Sequence, residues 1–156
     1  MRRTSTLLAL AVSVAACTPR ARHDPRLANA PLAARLAAAD PRAGAAIFAQ
    51  CAACHSISPG TGDRAGPNLY AVPGRAVAQG SANFNYTAAL RTIGGVWTFE
   101  RLDAWLTNPQ HFAPGTSMMF AGLHDGMDRA DVIRFLNDNG SKRPLPPVSP
   151  RSRSGR

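Results

Sequence analysis

What this chain of 156 residues lacks narrows it first. The apolar run from Leu7 to Ala16, broken only by Ser13, is too short to span a bilayer. No segment alternates with a convincing strand period and no internal repeat is visible, so helices and loops are the expected material of the fold. Aromatic residues are scarce, with six Phe, two Trp and two Tyr. Cysteines number three, at positions 17, 51 and 54. The only CxxC is CAACH at 51–55, and His23, His111 and His124 form no second pair, which leaves a tetrahedral zinc site short of ligands.

The net charge of +9 suggests a nucleic-acid binder until it is divided along the chain. Residues 1–39 carry six Arg and one Asp, and residues 141–156 carry Lys142 and four Arg, a surplus of +5 at each end. Residues 40–140 hold seven Arg against seven Asp and Glu100, a balance of −1. A domain that grips phosphates presents a basic face of its own. This centre has none to spare, and no nucleic-acid partner is expected. The basic ends suit anionic lipid headgroups or solvation.

The N-terminus reads as an export signal over 1–16, with Arg2 and Arg3 ahead of the apolar run and VAAC after it. VAAC resembles the bacterial lipobox, whose cysteine, here Cys17, takes a diacylglyceryl group. Ordinary cleavage after Ala15 or Ala16 is the alternative. Lipidation also accounts for the odd cysteine, since a spare thiol is a liability in an oxidising compartment. The expected location is the periplasmic side of a bacterial membrane, lipid-anchored, or otherwise soluble in the periplasm. Residues 17–39, rich in Ala, Arg and Pro, read as a lipidated N-terminus and flexible tether. The 22 residues behind Cys17 would reach about 25 Å. Residues 141–156, basic and proline-rich, read as a disordered tail.

Between these ends, residues 40–140 form one expected domain of four to five helices with long loops. Asp40-Pro41 starts a helix in which Gly44, Ile47, Phe48 and Cys51 share a face. Residues 56–86 are loop-like. A short helix over 87–93 stops at Gly94-Gly95, Thr98 caps a helix ending before Pro109, and Asp128 caps a last helix ending at Gly140. A loop of about thirty residues in so small a domain needs something to organise it. A large apolar cofactor would supply both the organiser and the missing core.

CAACH admits a redox dithiol, half a zinc site or covalent haem attachment. A thioredoxin-like pair belongs at a helix start in a βαβ setting, whereas this pair ends a helix with no strands in view. Two thiols so spaced, followed by histidine, are the signature of haem addition across two vinyl groups with the imidazole beneath the iron.

From Asp40 to Asn139 the chain then resembles a class I c-type cytochrome, similar to the mitochondrial protein and its bacterial relatives. The resemblance lies in GAAIFAQCAACH, in GPNL at 66–69, in NPQHFAPGTSMMFAG and in RADVIRFLN. It implies an all-α cytochrome c fold around one haem c held by Cys51 and Cys54. It implies His55 and Met118 as axial ligands, the Pro67 carbonyl as acceptor from His55, and Arg75, Tyr86, Thr87 and Trp97 as donors to a propionate. Met119 then falls at an apolar core position and Phe135 packs on Gly44. Trp105 departs from the family's usual tyrosine, Tyr70 from its usual histidine, and the lysines around the haem edge are absent, Lys142 being the only one.

The resemblance implies a single-haem electron carrier rather than an enzyme, cycling Fe(III) and Fe(II) between redox protein partners at the membrane, and a monomer. The alternatives are a fixed haem subunit of an oxidase or dehydrogenase complex, and a ligand-binding sensor or peroxidase in which Met118 leaves the iron.

Overall fold

The structure is a computed structural model that describes residues 23–149. Among these residues six α-helices follow a short 3-10 turn at Pro25–Leu27: α1 Leu32–Ala38, α2 Pro41–Phe48, α3 Ala88–Ile93, α4 Phe99–Thr107, α5 Pro109–Phe112 and α6 Gly126–Leu136. Among the described residues the extended chain forms only an isolated bridge between Ala76 and Val96.

Local chemistry sets most helix starts. Asp40, Thr87 and Thr98 cap α2, α3 and α4 by accepting from backbone N–H groups two or three residues on. The last helix starts earlier than the sequence suggests. Asp125, not Asp128, is its cap, taking the Met127 and Asp128 N–H groups at 2.6 and 3.3 Å. α5 was also absent from the expected set: Asn108 caps a single turn opened by Pro109.

α6 is the hub, packing against α1, α2 and α4. Where α2 crosses it, a Cβ on Gly44 would overlap the Asp131 carbonyl and crowd Phe135, so only glycine permits this approach. The Phe48 and Phe135 rings meet one turn further on, with centroids 5.2 Å apart.

The expected tether is not a tether from residue 23 onward. Leu36 is fully buried in the core, and Arg35 is 6% exposed. The Arg35 guanidinium donates to both Asp103 oxygens at 2.8 Å and to the Gly126 and Ala30 carbonyls. Arg129 of α6 donates to the same Asp103 at 2.8 Å, so one carboxylate of α4 joins α1 to α6. His23 lies 2.8 Å from the Asp131 carboxylate, which is 1% exposed and also accepts the Asp40 N–H. These anchors are polar, so a search for an apolar stripe passes over them.

The expected tail likewise begins packed. The Asn137 side chain donates to the Arg143 carbonyl and accepts its N–H, both at 3.0 Å, and Leu145 rests on the core. The expected export signal over 1–16, Cys17 and residues 150–156 lie outside the described residues.

The long loop over 56–86 is organised by its own polar groups. The Asn68 amide donates to the Ser58 and Thr61 carbonyls. Its backbone N–H meets Asp63, whose other oxygen accepts from Ser81. The Ser81 and Asn68 hydrogen bonds hold the Asp63 carboxyl below its usual range.

Candidate functional site

Helical turns continue from the end of α2 through CAACH: the Cys51 N–H donates to Phe48, and the Cys54 and His55 N–H groups donate to the Cys51 carbonyl at 3.0 and 2.9 Å. Both thiols are free, Cys51 half-buried and Cys54 exposed. Burial pushes the Cys51 thiol up.

His55 Nδ1 stands 2.7 Å from the Pro67 carbonyl oxygen. A carbonyl only accepts, so Nδ1 carries the proton and Nε2 keeps a lone pair for a metal. Burial lowers the imidazole pKa, outweighing the upward pull of the Pro67 bond, which favours this neutral form. Gly66 makes the contact possible, since a Cβ there would overlap the His55 ring.

His55 opens into a cavity of about 460 Å³. Cys51, Cys54, Pro67, Arg75, Tyr86, Thr87, Trp97 and Met118 all line the same cavity, although they come from six separate stretches of chain. Its walls are otherwise largely apolar, from Leu90 of α3, Leu102, Trp105 and Leu106 of α4, and Val132 and Leu136 of α6.

The polar residues keep donors to offer. Arg75 uses one guanidinium nitrogen on the Tyr70 carbonyl and packs so close to Gly80 that a Cβ there would overlap it. The Tyr86 hydroxyl accepts the Ser81 N–H at 3.2 Å, leaving its own proton free. Burial raises the Tyr86 pKa, which keeps that proton in place. Thr87 accepts the Leu90 N–H as a cap and retains its hydroxyl hydrogen. Trp97 is buried beside Trp105 and Phe112, with ring centroids 5.5 and 5.9 Å away.

The loop after α5 carries Met118. Gly115 turns it with a φ of +92°, a region glycine enters without strain. The Thr116 hydroxyl accepts the Met118 N–H at 3.3 Å. The Gln110 amide, which no motif marks, donates to the Thr116 and Met118 carbonyls at 3.0 and 3.1 Å. Met118 is half-buried. Met119 departs from its expected core position and is 86% exposed. With the backbone pinned by Gln110, its side chain runs past that amide, Sδ to Nε2 3.6 Å, into solvent.

A pair of thiols, an imidazole nitrogen, a thioether, a group of hydrogen-bond donors and an apolar enclosure therefore share one cavity. That donor set fits haem c, and no group of His, Cys, Asp or Glu among the described residues competes as a separate metal site.

The family profile of cytochrome c matches residues 41–139. The chain belongs to the cytochrome c family. The cytochrome is 43% identical to a cytochrome c homolog of Bradyrhizobium diazoefficiens over 123 residues, 78% of this chain and 67% of that protein. It is 41% identical to cytochrome c2 of Rhodomicrobium vannielii over 104 residues, 67% of this chain and 82% of that protein. Its fold is similar to that of cytochrome cH from Methylobacterium extorquens, with a TM-score of 0.60 at 33% identity over 64% of this chain and 98% of that one. The family binds haem c covalently through cysteines, and Cys51 and Cys54 are this cytochrome's pair at that spacing. Haem-based electron transfer is the activity class that follows. No helix among the described residues is long and apolar enough to cross a membrane.

Proposed function

We propose that this cytochrome is a monomeric single-haem carrier that takes electrons from one redox protein and passes them to another at the periplasmic face of a bacterial membrane. The observation that carries the reading is that His55, its Nδ1 committed to Pro67, and Met118 line one cavity together with Cys51 and Cys54. Haem c, when bound, supplies an iron that exchanges one electron between Fe(III) and Fe(II). His55 and Met118 are the residues that would hold that iron, and a soft neutral thioether would favour Fe(II) and raise the potential.

The remaining roles belong to the chain. Pro67 holds the imidazole in one tautomer and orientation. Arg75, Tyr86, Thr87 and Trp97 offer donors to a propionate. The apolar walls from α3, α4 and α6 keep water away from the ligands. The exposed residues lining the cavity include Gln50, Cys54, Ala65, Ser117 and Met119, all uncharged, which suits docking without strong electrostatic steering.

Lipid on Cys17 would confine the carrier near its partners and raise their effective concentration. His23, the first described residue, is already tied to Asp131, and the six residue steps from Cys17 to it span at most about 22 Å when fully extended. Intact mass of the protein from the membrane fraction tests both attachments. The reading expects a chain beginning at Cys17 that carries one haem and a diacylglyceryl group. A haem-bearing chain beginning at Ala16 refutes the anchor, and a chain without haem refutes the carrier.

A further inference from the structure

Met119 stands apart from the other methionines of the described residues. Met127 is 3% exposed within the core and Met118 is half-buried at the cavity, whereas Met119 is 86% exposed. A thioether in open solvent is the form of methionine that two-electron oxidants reach first. Its neighbour makes it more than a bystander. Gln110 has two amide hydrogens and three acceptors within reach: the Thr116 carbonyl at 3.0 Å, the Met118 carbonyl at 3.1 Å and the Met119 sulfur at 3.6 Å. Thioether sulfur is a weak acceptor, so the two carbonyls hold the hydrogens and the loop stays closed.

We propose that Met119 is an oxidant-sensitive modification site whose state is transmitted to Met118 through Gln110. An oxidant of the peroxide or hypohalite class delivers one oxygen to Sδ. The sulfur loses two electrons and the oxidant leaves as water or halide, so methionine plus hydrogen peroxide becomes methionine sulfoxide plus water. The S=O oxygen is a strong acceptor where the sulfide was a weak one. It draws an N–H of Gln110 away from the 116–118 carbonyls, and the segment presenting Met118 loses one of its two ties to Gln110. Sulfoxide reductases reverse the change, so the device is a switch rather than damage. The proposal rests on the reading of Met118 as the distal ligand.

The test treats the full-length, haem-loaded protein with sub-stoichiometric hypochlorite and follows two readouts: peptide masses, and the rate at which imidazole replaces the distal ligand. The first oxygen is expected on Met119, ahead of Met118 and Met127. Imidazole binding is then expected to accelerate roughly two- to tenfold, the range that one lost neutral hydrogen bond spans. Methionine sulfoxide reductase restores the original rate. Met119→Leu abolishes the acceleration, and Gln110→Ala still takes oxygen at Met119 but shows no further acceleration. Oxygen arriving first or equally at Met118, or an unchanged imidazole rate on fully oxidised Met119, overturns the proposal. Failure of the underlying reading looks different: Met118→Ala would then keep the sulfur-to-iron charge-transfer band, whatever the order of oxidation.

Discussion

The Nδ1 proton of His55 is held by a backbone carbonyl, so no side-chain deletion removes that bond, but its neighbour Gly66 can be changed. A Cβ at Gly66 would overlap the imidazole, and the ring must then turn or the 66–69 segment must retreat, breaking the 2.7 Å contact with Pro67. Gly66→Ala is expected to lower the yield of haem-loaded protein by tenfold or more, consistent with the roughly 10- to 100-fold losses that follow when a ligand's supporting partner is removed. Haem absorbance per milligram of purified protein measures this, and an unchanged ratio contradicts it. Residue-scale chemistry was the most legible part of the sequence. CAACH, GPNL and PGTSM each carry a backbone or ligand requirement within a few positions, and the structure brings all three to one cavity. The exposure of Met119 is not legible at the same scale, because the backbone beside it is pinned by Gln110, nine positions away.

At the scale of elements, the caps at Asp40, Thr87 and Thr98 could be read because a cap and its helix are adjacent in sequence. The packing of 23–39 could not. Its largest anchor, Arg35, finds its partner 68 positions away on α4, and an arginine in an Ala- and Pro-rich stretch looks like a solvated charge. That anchor carries a stability prediction. Burial alone would raise the Asp103 carboxyl, but hydrogen bonds from Arg35 and Arg129 outweigh it and hold it below its ordinary 3.8. A lowered folded value means the unfolded chain takes up the proton first, so the contribution is complete above about pH 4 and is lost as pH falls through the folded value. Asp103→Asn is expected to cost about 2–4 kcal/mol at neutral pH, less than a fully buried pair because 18% of the side chain stays exposed. The variant should also lose less stability than the parent between about pH 4 and the folded value. Denaturant melts across pH measure both, and parallel pH profiles would contradict the assignment.

For the whole molecule, the decisive feature is where charge is absent. The chain carries +9, yet among the residues that line the haem cavity the only formal cation is Arg75, which is committed in part to Tyr70. A small anionic oxidant such as ferricyanide therefore meets little local steering at the cavity mouth. Its rate with the reduced protein is expected to change less than about threefold as salt rises from roughly 0.15 to 1 M, over which the Debye length falls from about 8 to 3 Å and only charges near the mouth act. A tenfold fall would mean that the basic ends fold over the cavity and govern approach.

The claim on which all of this depends is a haem iron held between His55 and Met118 that exchanges one electron without changing ligands. A spectroelectrochemical titration of the purified holoprotein, followed at the sulfur-to-iron charge-transfer band and repeated under carbon monoxide, tests it most directly. A single reversible one-electron transition is expected, with full return of the band on reoxidation and the same midpoint with and without carbon monoxide. An absent band, or a midpoint that carbon monoxide moves, would show that Met118 does not hold the iron and that the protein is not a simple carrier.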